Sequence, residues 1–253
     1  MNNDLQKASM LKRISAFTFD MILLVILVMG LALGLSALFG YNDYSAKMDG
    51  YYEKYGQMYG IDVNISLEDY GKLSDEELEK YAAATEALNK DKEAMHTYSV
   101  MASMTLMIAT LSVVLAFVIM EFAIPLWLGN GQTLGKKIFS IGLMRIDGVK
   151  ITPFMMFVRA ILGKCAIETL PLVLVLIMLV LNVPFGFGLI FVGLILLTQV
   201  ILLIATRNNS TLHDLLACTV AVDISSQRIF QSPEARMEYM KRISAEAAAK
   251  AKY

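Results

Sequence analysis

The stretch LKRISAFTFDMILLVILVMG, residues 11–30, places an arginine and an aspartate directly before a long apolar run. Asp20 is followed by uncharged residues up to position 39, and Arg13 stands seven positions before it. A helix that crosses a bilayer needs about 20 mostly apolar residues, because the backbone must satisfy its own hydrogen bonds where water is absent. The stretch therefore predicts a membrane-spanning helix with two charged residues at its beginning.

The composition of the whole chain agrees with this interpretation. Hydrophobic residues make up 57% of the 253 residues and charged residues only 18%, which is too apolar for a soluble domain of this length. Four runs are long enough to cross a membrane, and they cover residues 18–39, 100–127, 165–181 and 185–205. We therefore predict an all-α integral membrane protein with four transmembrane helices.

The charged residues are distributed unevenly along the chain. Residues 41–99 carry 13 Asp/Glu against 6 Lys, whereas the other basic residues lie near the N-terminus, between positions 136 and 164, and after position 206. Loops rich in Lys and Arg tend to stay in the cytoplasm. This pattern predicts a multi-pass protein of the cell membrane, with both termini cytoplasmic, residues 41–99 extracytoplasmic and residues 181–188 as a second external turn.

Composition divides the chain into four parts. Residues 1–40 contain the N-terminus and the first predicted span, and residues 41–99 form an insert rich in tyrosine. Residues 100–226 contain the other spans together with a cytoplasmic connector, 128–164. Residues 227–253 form a basic, helix-prone tail, which is predicted to be cytoplasmic.

The insert is predicted to be a small helical cap, with its clearest helical signal in the second half. Ser74 and Glu77 have the spacing of a capping box, in which each side chain bonds the backbone N–H of the other. The alanine-rich, charge-mixed sequence after them favours a helix. We expect this helix to continue into the second span.

The connector contains a short β-like sequence. Asp147 and Gly148 form a dipeptide that strongly favours a hairpin turn, so a small cytoplasmic β-hairpin is predicted there. A second β-like piece, residues 219–224, is predicted on the same side of the membrane. It is an alternative pairing partner for residues 141–147, and that pairing would join the connector to the C-terminal segment.

Three separated segments resemble the motif regions of the RDD family of membrane proteins, which is named for one arginine and two aspartates. The segments are RISAFTFD at 13–20, GQTLGKKIFSIGLMRIDG at 131–148 and LHDLLACTVAVD at 212–223. The positions that match the three named residues are Arg13, Asp20 and Asp214. The resemblance covers the chain apart from the insert and the tail. It implies a membrane protein of a mainly prokaryotic family, for which a role in transport has been proposed.

Charged residues of the predicted spans collect at one depth, near the cytoplasmic face. The carboxylates Asp20, Glu121 and Glu168 each stand close to the predicted cytoplasmic end of a span. The other members of this candidate charge network are Arg13, Lys136, Arg159, His213 and Asp214. Seven residues along a helix correspond to roughly 10.5 Å of rise on nearly the same face, so Arg13 and Asp20 are expected to have separate partners.

Three functions are compatible with this network. In the first, opposite charges only pair with one another and fix the helices, because buried carboxylates need partners. In the second, one carboxylate is left unpaired by the cations and binds Na⁺ or a proton during transport of a cation or small solute. In the third, the protein is a scaffold or accessory subunit that binds another membrane protein or lipid.

No enzyme is predicted. His213 beside Asp214 has no nucleophile in a recognisable arrangement, and two histidines without a Cys/His cluster do not indicate zinc. We predict no catalytic residue, no cofactor, no metal site and no nucleic-acid partner. The expected partners are membrane lipids, a cation such as Na⁺ or H⁺, and a second copy of the chain or another membrane protein. A second copy is expected because four helices leave little room for a central pathway.

Overall fold

The computed structural model describes residues 6–180, 186–206 and 208–250. These residues are mostly helical, with two short strands. In chain order the first elements are α1 (Met10–Leu38), α2 (Tyr41–Tyr59), α3 (Leu67–Tyr70), α4 (Asp75–Lys90), α5 (Lys92–Val118), the π-helical segment π1 (Ile119–Ala123) and α6 (Ile124–Leu128). They are followed by α7 (Leu134–Ile138), β1 (Ile141–Arg145), α8 (Pro153–Phe157), the second π-helical segment π2 (Val158–Thr169), α9 (Leu170–Val180), α10 (Gly186–Ala205), α11 (Leu212–Leu216), β2 (Thr219–Asp223) and α12 (Pro233–Lys250).

The chain forms two compact units. Residues 26–115 make up one of them, here called the insert unit because it contains the predicted insert. The described residues before and after this range make up the other, here called the core unit. All eight residues of the candidate charge network belong to the core unit.

Three helical stretches are long and apolar enough to cross a membrane, judged by length and composition among the described residues. They are Met10–Leu38, Lys92–Leu128 and Gly186–Ala205, and they confirm the first, second and fourth predicted spans. The third predicted span, 165–181, lies within a continuous helical stretch from Val158 to Val180 that is not one of the three, and its last residue is outside the described residues. Most of the predicted external turn 181–188 is also outside them.

The insert unit has its own hydrophobic core, formed where α2 packs against α4. Met48 and Tyr55 of α2 and Ala84 and Leu88 of α4 are buried in it. The first half of the insert is therefore as helical as the second, which the sequence prediction did not indicate. The predicted continuous helix into the second span is also wrong, because it is interrupted at Asp91.

Asp91 both ends α4 and begins α5. Its backbone is extended at the end of α4, and its Oδ1 accepts hydrogen bonds from the amides of Glu93 and Ala94 in the first turn of α5. An aspartate at this position satisfies amides that have no partner within the helix. The other oxygen of Asp91 accepts the hydroxyl of Tyr55 at 2.9 Å, which attaches the interruption to α2.

The capping box predicted at the start of α4 is present. Ser74 Oγ accepts the Glu77 amide, and Glu77 Oε2 accepts the Ser74 amide at 2.8 Å. Ser74→Ala removes the first of these bonds, so we expect it to destabilise the first turn of α4 by about 1 kcal/mol. Hydrogen exchange of amides in that turn should become about fivefold faster. Ser99→Ala, at an exposed serine within α5, is the control; equal acceleration in both variants would contradict the assignment.

The two strands of the core unit pair with each other. β1 and β2 are antiparallel, with Ile141 opposite Asp223 and Arg145 opposite Thr219. A tight turn does form at Asp147-Gly148, where the Gly148 amide donates to the Arg145 carbonyl, but it leads only to an isolated bridge. The predicted hairpin is therefore wrong as the main pairing, and the alternative pairing of the connector with the C-terminal segment is confirmed.

Candidate functional site

The π-helical segment π2 aligns three charged residues of the candidate network. Arg159 and Glu168 are nine residues apart, about two and a half turns of an α-helix, which would put them on opposite faces. The i→i+5 hydrogen bonds of a π-helix widen each turn, so nine residues make about two turns. Arg159, Lys164 and Glu168 can therefore face the same side, and all three line one cavity of the core unit.

Asp214 is the most deeply buried carboxylate of the network. It lies in the short helix α11, its side chain is 1% exposed, and its Oδ1 is 2.7 Å from Nη1 of Arg159. Its Oδ2 is 3.6 Å from Nη2 of Arg13. Burial alone would raise the pKa of Asp214, but the Arg159 charge and the Thr211 hydrogen bonds outweigh it and hold this pKa below its ordinary value. Asp214 therefore joins α1, π2 and α11 as an ionised group.

Asp20 has a different kind of environment. Its Oδ2 accepts the Thr133 hydroxyl at 2.5 Å and its Oδ1 accepts the Gly135 amide at 2.8 Å. Among the described residues no basic side chain lies within ion-pair distance of it, although it is buried. Arg13 instead donates to the carbonyl of Asn209 at 2.6 Å. The separate partners predicted for Arg13 and Asp20 are thus observed.

Gly135 is what allows α7 to approach Asp20. A Cβ atom at this position would lie 2.3 Å from the backbone oxygen of Ala16 and 2.9 Å from Cγ of Asp20. Real Cβ atoms do not come so close to a backbone oxygen, so only glycine fits here without movement of α7 or α1. The Thr133 hydroxyl also accepts the Lys136 amide and begins α7 as its N-cap, which fixes the direction of this short helix.

The remaining two carboxylates have basic or imidazole partners. Glu121, in π1, forms an ion pair with Lys164 of π2. Glu168 is 2.8 Å from Nδ1 of His213 through its Oε1, and the same oxygen accepts the His213 amide. Burial lowers the pKa of His213, an effect that Glu168 only partly opposes. His213 is therefore a neutral hydrogen-bond partner at neutral pH.

Lys136 is the exception among the basic residues. Within the described parts of the chain its Nζ makes no hydrogen bond and no ion pair. Burial lowers its pKa to about 8, and the charges of Arg159 and Lys164 act in the same direction, while Glu121 and Asp20 oppose the shift. Lys136 is therefore a lysine that gains and loses its proton close to physiological pH.

These side chains surround a cavity of about 400 Å³ within the core unit. Seven of the eight predicted network residues line it, namely Arg13, Asp20, Glu121, Lys136, Arg159, Glu168 and His213. Asp214 does not line the cavity; it forms ion pairs with Arg13 and Arg159, which do. Gln199 of α10 also lines the cavity; its Oε1 accepts the Leu212 amide, and its buried amide nitrogen has no hydrogen-bond partner among the described residues.

Comparison with known proteins identifies the family. The model of the RDD family matches residues 7–218 of the chain, which include the cavity lining except Ala221. The chain belongs to the RDD family. No curated protein and no solved structure matches it significantly.

The RDD motif residues do not form a single triad in the structure. Arg13 and Asp214 lie side by side, whereas Asp20 binds Thr133 and Gly135 in the connector. Neither of these two partners was singled out from the RDD resemblance, because they are an uncharged hydroxyl and a backbone amide. A signal was present, since Thr133 stands two positions before Gly135 in GQTLGKK and has the position of a helix N-cap.

Proposed function

We propose that this RDD protein is a multi-pass transporter of the cell membrane that couples a proton to the movement of a small solute, with Asp20 as the proton-binding residue. The observation that carries the proposal is the environment of Asp20. It is the one carboxylate among the four described in the network whose hydrogen-bond and ion-pair partners include no ionisable side chain. The other three are held by arginine, lysine or histidine.

The hydrogen bonds of Asp20 suit both of its protonation states. When Asp20 is ionised, the Thr133 hydroxyl donates to Oδ2. When Asp20 is protonated, its own O–H can donate to Thr133 Oγ1 after the Thr133 hydroxyl has rotated, because a hydroxyl both donates and accepts. The Gly135 amide donates to Oδ1 in either state. A proton thus binds without loss of a hydrogen bond, whereas a metal cation would need several oxygen ligands.

The protonation state of Lys136 depends on that of Asp20. The negative charge of Asp20 is one of the charges that favour the protonated form of Lys136. A proton on Asp20 removes that charge and makes the Lys136 ammonium less stable, and the effect is reciprocal. The two residues line the same cavity, so a solute that binds there interacts with both.

The proposal includes a third span and a four-helix topology with both termini in the cytoplasm. The sequence LPLVLVLIMLV of α9 contains no charged residue and continues the helical stretch that carries Glu168. Most Lys and Arg residues lie outside the insert, near the N-terminus, between positions 136 and 164 and after position 206. This supports a cytoplasmic position for those segments and an extracytoplasmic position for the insert. Because four helices enclose little volume, we propose that the transporter works as a homo-oligomer.

Asp20→Asn is expected to abolish proton movement coupled to solute. The asparagine keeps an oxygen for the Gly135 amide but has no carboxylate that could take up a proton. Purified protein in proteoliposomes that contain a pH-sensitive dye should show a change in internal pH when the solute is added outside, and the variant should show none. The solutes to be compared are Na⁺, K⁺ and the permanent anion decanesulfonate.

Asp223→Asn is the matched control for this experiment. Asp223 forms an ion pair with Lys12 in the same unit, and neither residue lines the cavity. Wild-type flux in this variant, together with none in Asp20→Asn, would support the proposal. Equal flux in both variants, or no response of the wild type to any of the three solutes, would contradict it and leave the scaffold function as the better explanation.

A further inference from the structure

The wall of the cavity joins two faces of the molecule that are exposed and apolar. Ile14 and Phe17 of α1 line the cavity, and each has more than half of its surface exposed. Leu196 of α10 does the same from the other side. These helices are two of the three candidate spans by length and composition, so we place their exposed apolar side chains against lipid. The cavity therefore has a mouth between α1 and α10 that opens toward lipid.

We infer that this cavity binds an amphipathic anion, whose head group contacts Lys136 and whose alkyl chain lies between α1 and α10. The inference names the solute of the transporter proposed above, and for transport it rests on that proposal. The binding site itself rests only on the cavity and its lining. A volume of about 400 Å³ is within the range of small-molecule sites, which are mostly apolar with a few polar groups that orient the ligand.

The hydrogen bonds and ion pairs that the charged side chains already form favour an anion over a cation as the ligand. Every carboxylate of the network already has a hydrogen-bonded or charged partner in the protein. Arg13, Arg159 and Lys164 are likewise engaged, each with a carboxylate. Lys136 is the basic side chain of the described lining that has no acceptor in the protein, and a partly buried ammonium without an acceptor is unfavourable. A sulfonate, phosphate or carboxylate supplies the missing acceptor.

The exposed apolar wall selects an amphiphile over a small inorganic anion. Phe17 and Leu196 can cover part of an alkyl chain, and each CH₂ group removed from water contributes about 0.8 kcal/mol. A short-chain anion lacks this contribution. It also leaves the mouth of the cavity open to water, and the higher dielectric constant weakens the interaction between the anion and the Lys136 ammonium. The site therefore requires both the head group and the chain.

Anion binding is also expected to bring a proton with it. A bound anion beside Lys136 raises the pKa of this lysine, as Glu121 and Asp20 already do. It opposes the positive charges of Arg159 and Lys164, which lower that pKa. Above a pH of about 8, where free Lys136 is neutral, binding of an anion therefore takes up a proton. Affinity should accordingly fall as the pH rises through this value.

Binding of radiolabelled decanesulfonate to the protein in phosphatidylcholine nanodiscs tests the inference. Lys136→Met should weaken binding by about tenfold to a hundredfold, because it removes a hydrogen bond between charged groups. Lys136→Arg should retain binding and lose the decrease near pH 8, since a guanidinium stays protonated. Lys137→Met, at the exposed neighbouring lysine, should bind as the wild type does. Circular dichroism of each variant verifies folding.

Two comparison ligands and one competitor complete the design. Decyltrimethylammonium has the chain with the opposite charge, and ethanesulfonate has the head group without the chain; equal binding of either one, or an unchanged affinity in Lys136→Met, would overturn the inference. Competition by a short-chain phosphatidylglycerol would identify a bilayer lipid as the natural source of the head group, and its absence would identify a single-chain anion. If decanesulfonate binds but no flux is observed, only the proposed transport function is overturned. If flux is observed with Na⁺ but decanesulfonate does not bind, only the proposed anion site is overturned.

Discussion

Asp214→Asn is expected to destabilise the core unit by about 3–5 kcal/mol, because removal of one member of a buried ion pair leaves the others uncompensated. The side chains of Asp214 and Arg159 are almost completely buried, and Arg13 is mostly buried. Without the carboxylate, two guanidinium groups lie together with no negative charge between them. We expect a large decrease in the midpoint of thermal unfolding, measured by circular dichroism in a mild detergent.

The pH dependence of this contribution follows from the direction of the shift. The pKa of Asp214 is lower in the folded protein than its ordinary value, so its stabilising effect is fully present above a pH of about 4 and is lost as the pH falls toward the folded-state value. Near neutral pH the difference between Asp214→Asn and the wild type should therefore not vary with pH.

Asp223→Asn again provides the comparison for stability. Asp223 and Lys12 are only partly buried, and exposed ion pairs contribute little to folding. A second test is the double variant Asp214→Asn/Arg159→Gln, which removes one of the unpaired charges and should recover part of the lost stability. If Asp214→Asn unfolded at the same temperature as Asp223→Asn, the buried cluster would not hold the helices together.

Gly135→Ala is expected to have the second large effect. The added methyl group would overlap the backbone oxygen of Ala16 and the carboxyl carbon of Asp20, and a backbone oxygen in a helix cannot move aside. Overpacking of this kind costs about 1–3 kcal/mol or more, and displacement of α7 would also break the hydrogen bond from Gly135 to Asp20. We expect both lower thermal stability and loss of proton-coupled flux.

Gly193→Ala is the matched control, since it makes the same substitution within a helix of the same unit. A Cβ atom there has no neighbouring atom within 4 Å, and alanine is favoured over glycine within a helix by about 1 kcal/mol. This variant should be at least as stable as the wild type and should retain flux. Normal stability and flux in Gly135→Ala would mean that the close contact between α7 and Asp20 is not required.

Three of the four predicted spans and the strand pairing were accessible from the sequence because each has a local signal. Long uncharged runs, such as the one after Asp20, are required by the bilayer and have few alternatives. The strands β1 and β2 are short runs of β-forming residues on the same predicted side. Their pairing was one of two alternatives, since Asp147-Gly148 also favours a turn, and tertiary packing decided between them.

The arrangement of the charges was only partly accessible. The sequence places eight residues at similar depth, but an α-helical periodicity puts Arg159 and Glu168 on opposite faces, and nothing in the local sequence indicates the π-helical turns that align them. The interruption at Asp91 was missed because the residues on either side of it favour a helix equally. Asp91 itself was the available signal, since aspartate is a preferred N-cap residue.

The most direct test of the central claim is the protonation of Asp20 itself. Infrared difference spectra of the reconstituted protein, recorded as the proton concentration is raised in steps, report the carbonyl stretching band of a neutral carboxyl group. We predict a band in the wild type that is retained in Asp223→Asn and absent in Asp20→Asn. If the spectra of Asp20→Asn and the wild type contained the same bands, Asp20 would not bind the proton and the proposed coupling would be contradicted.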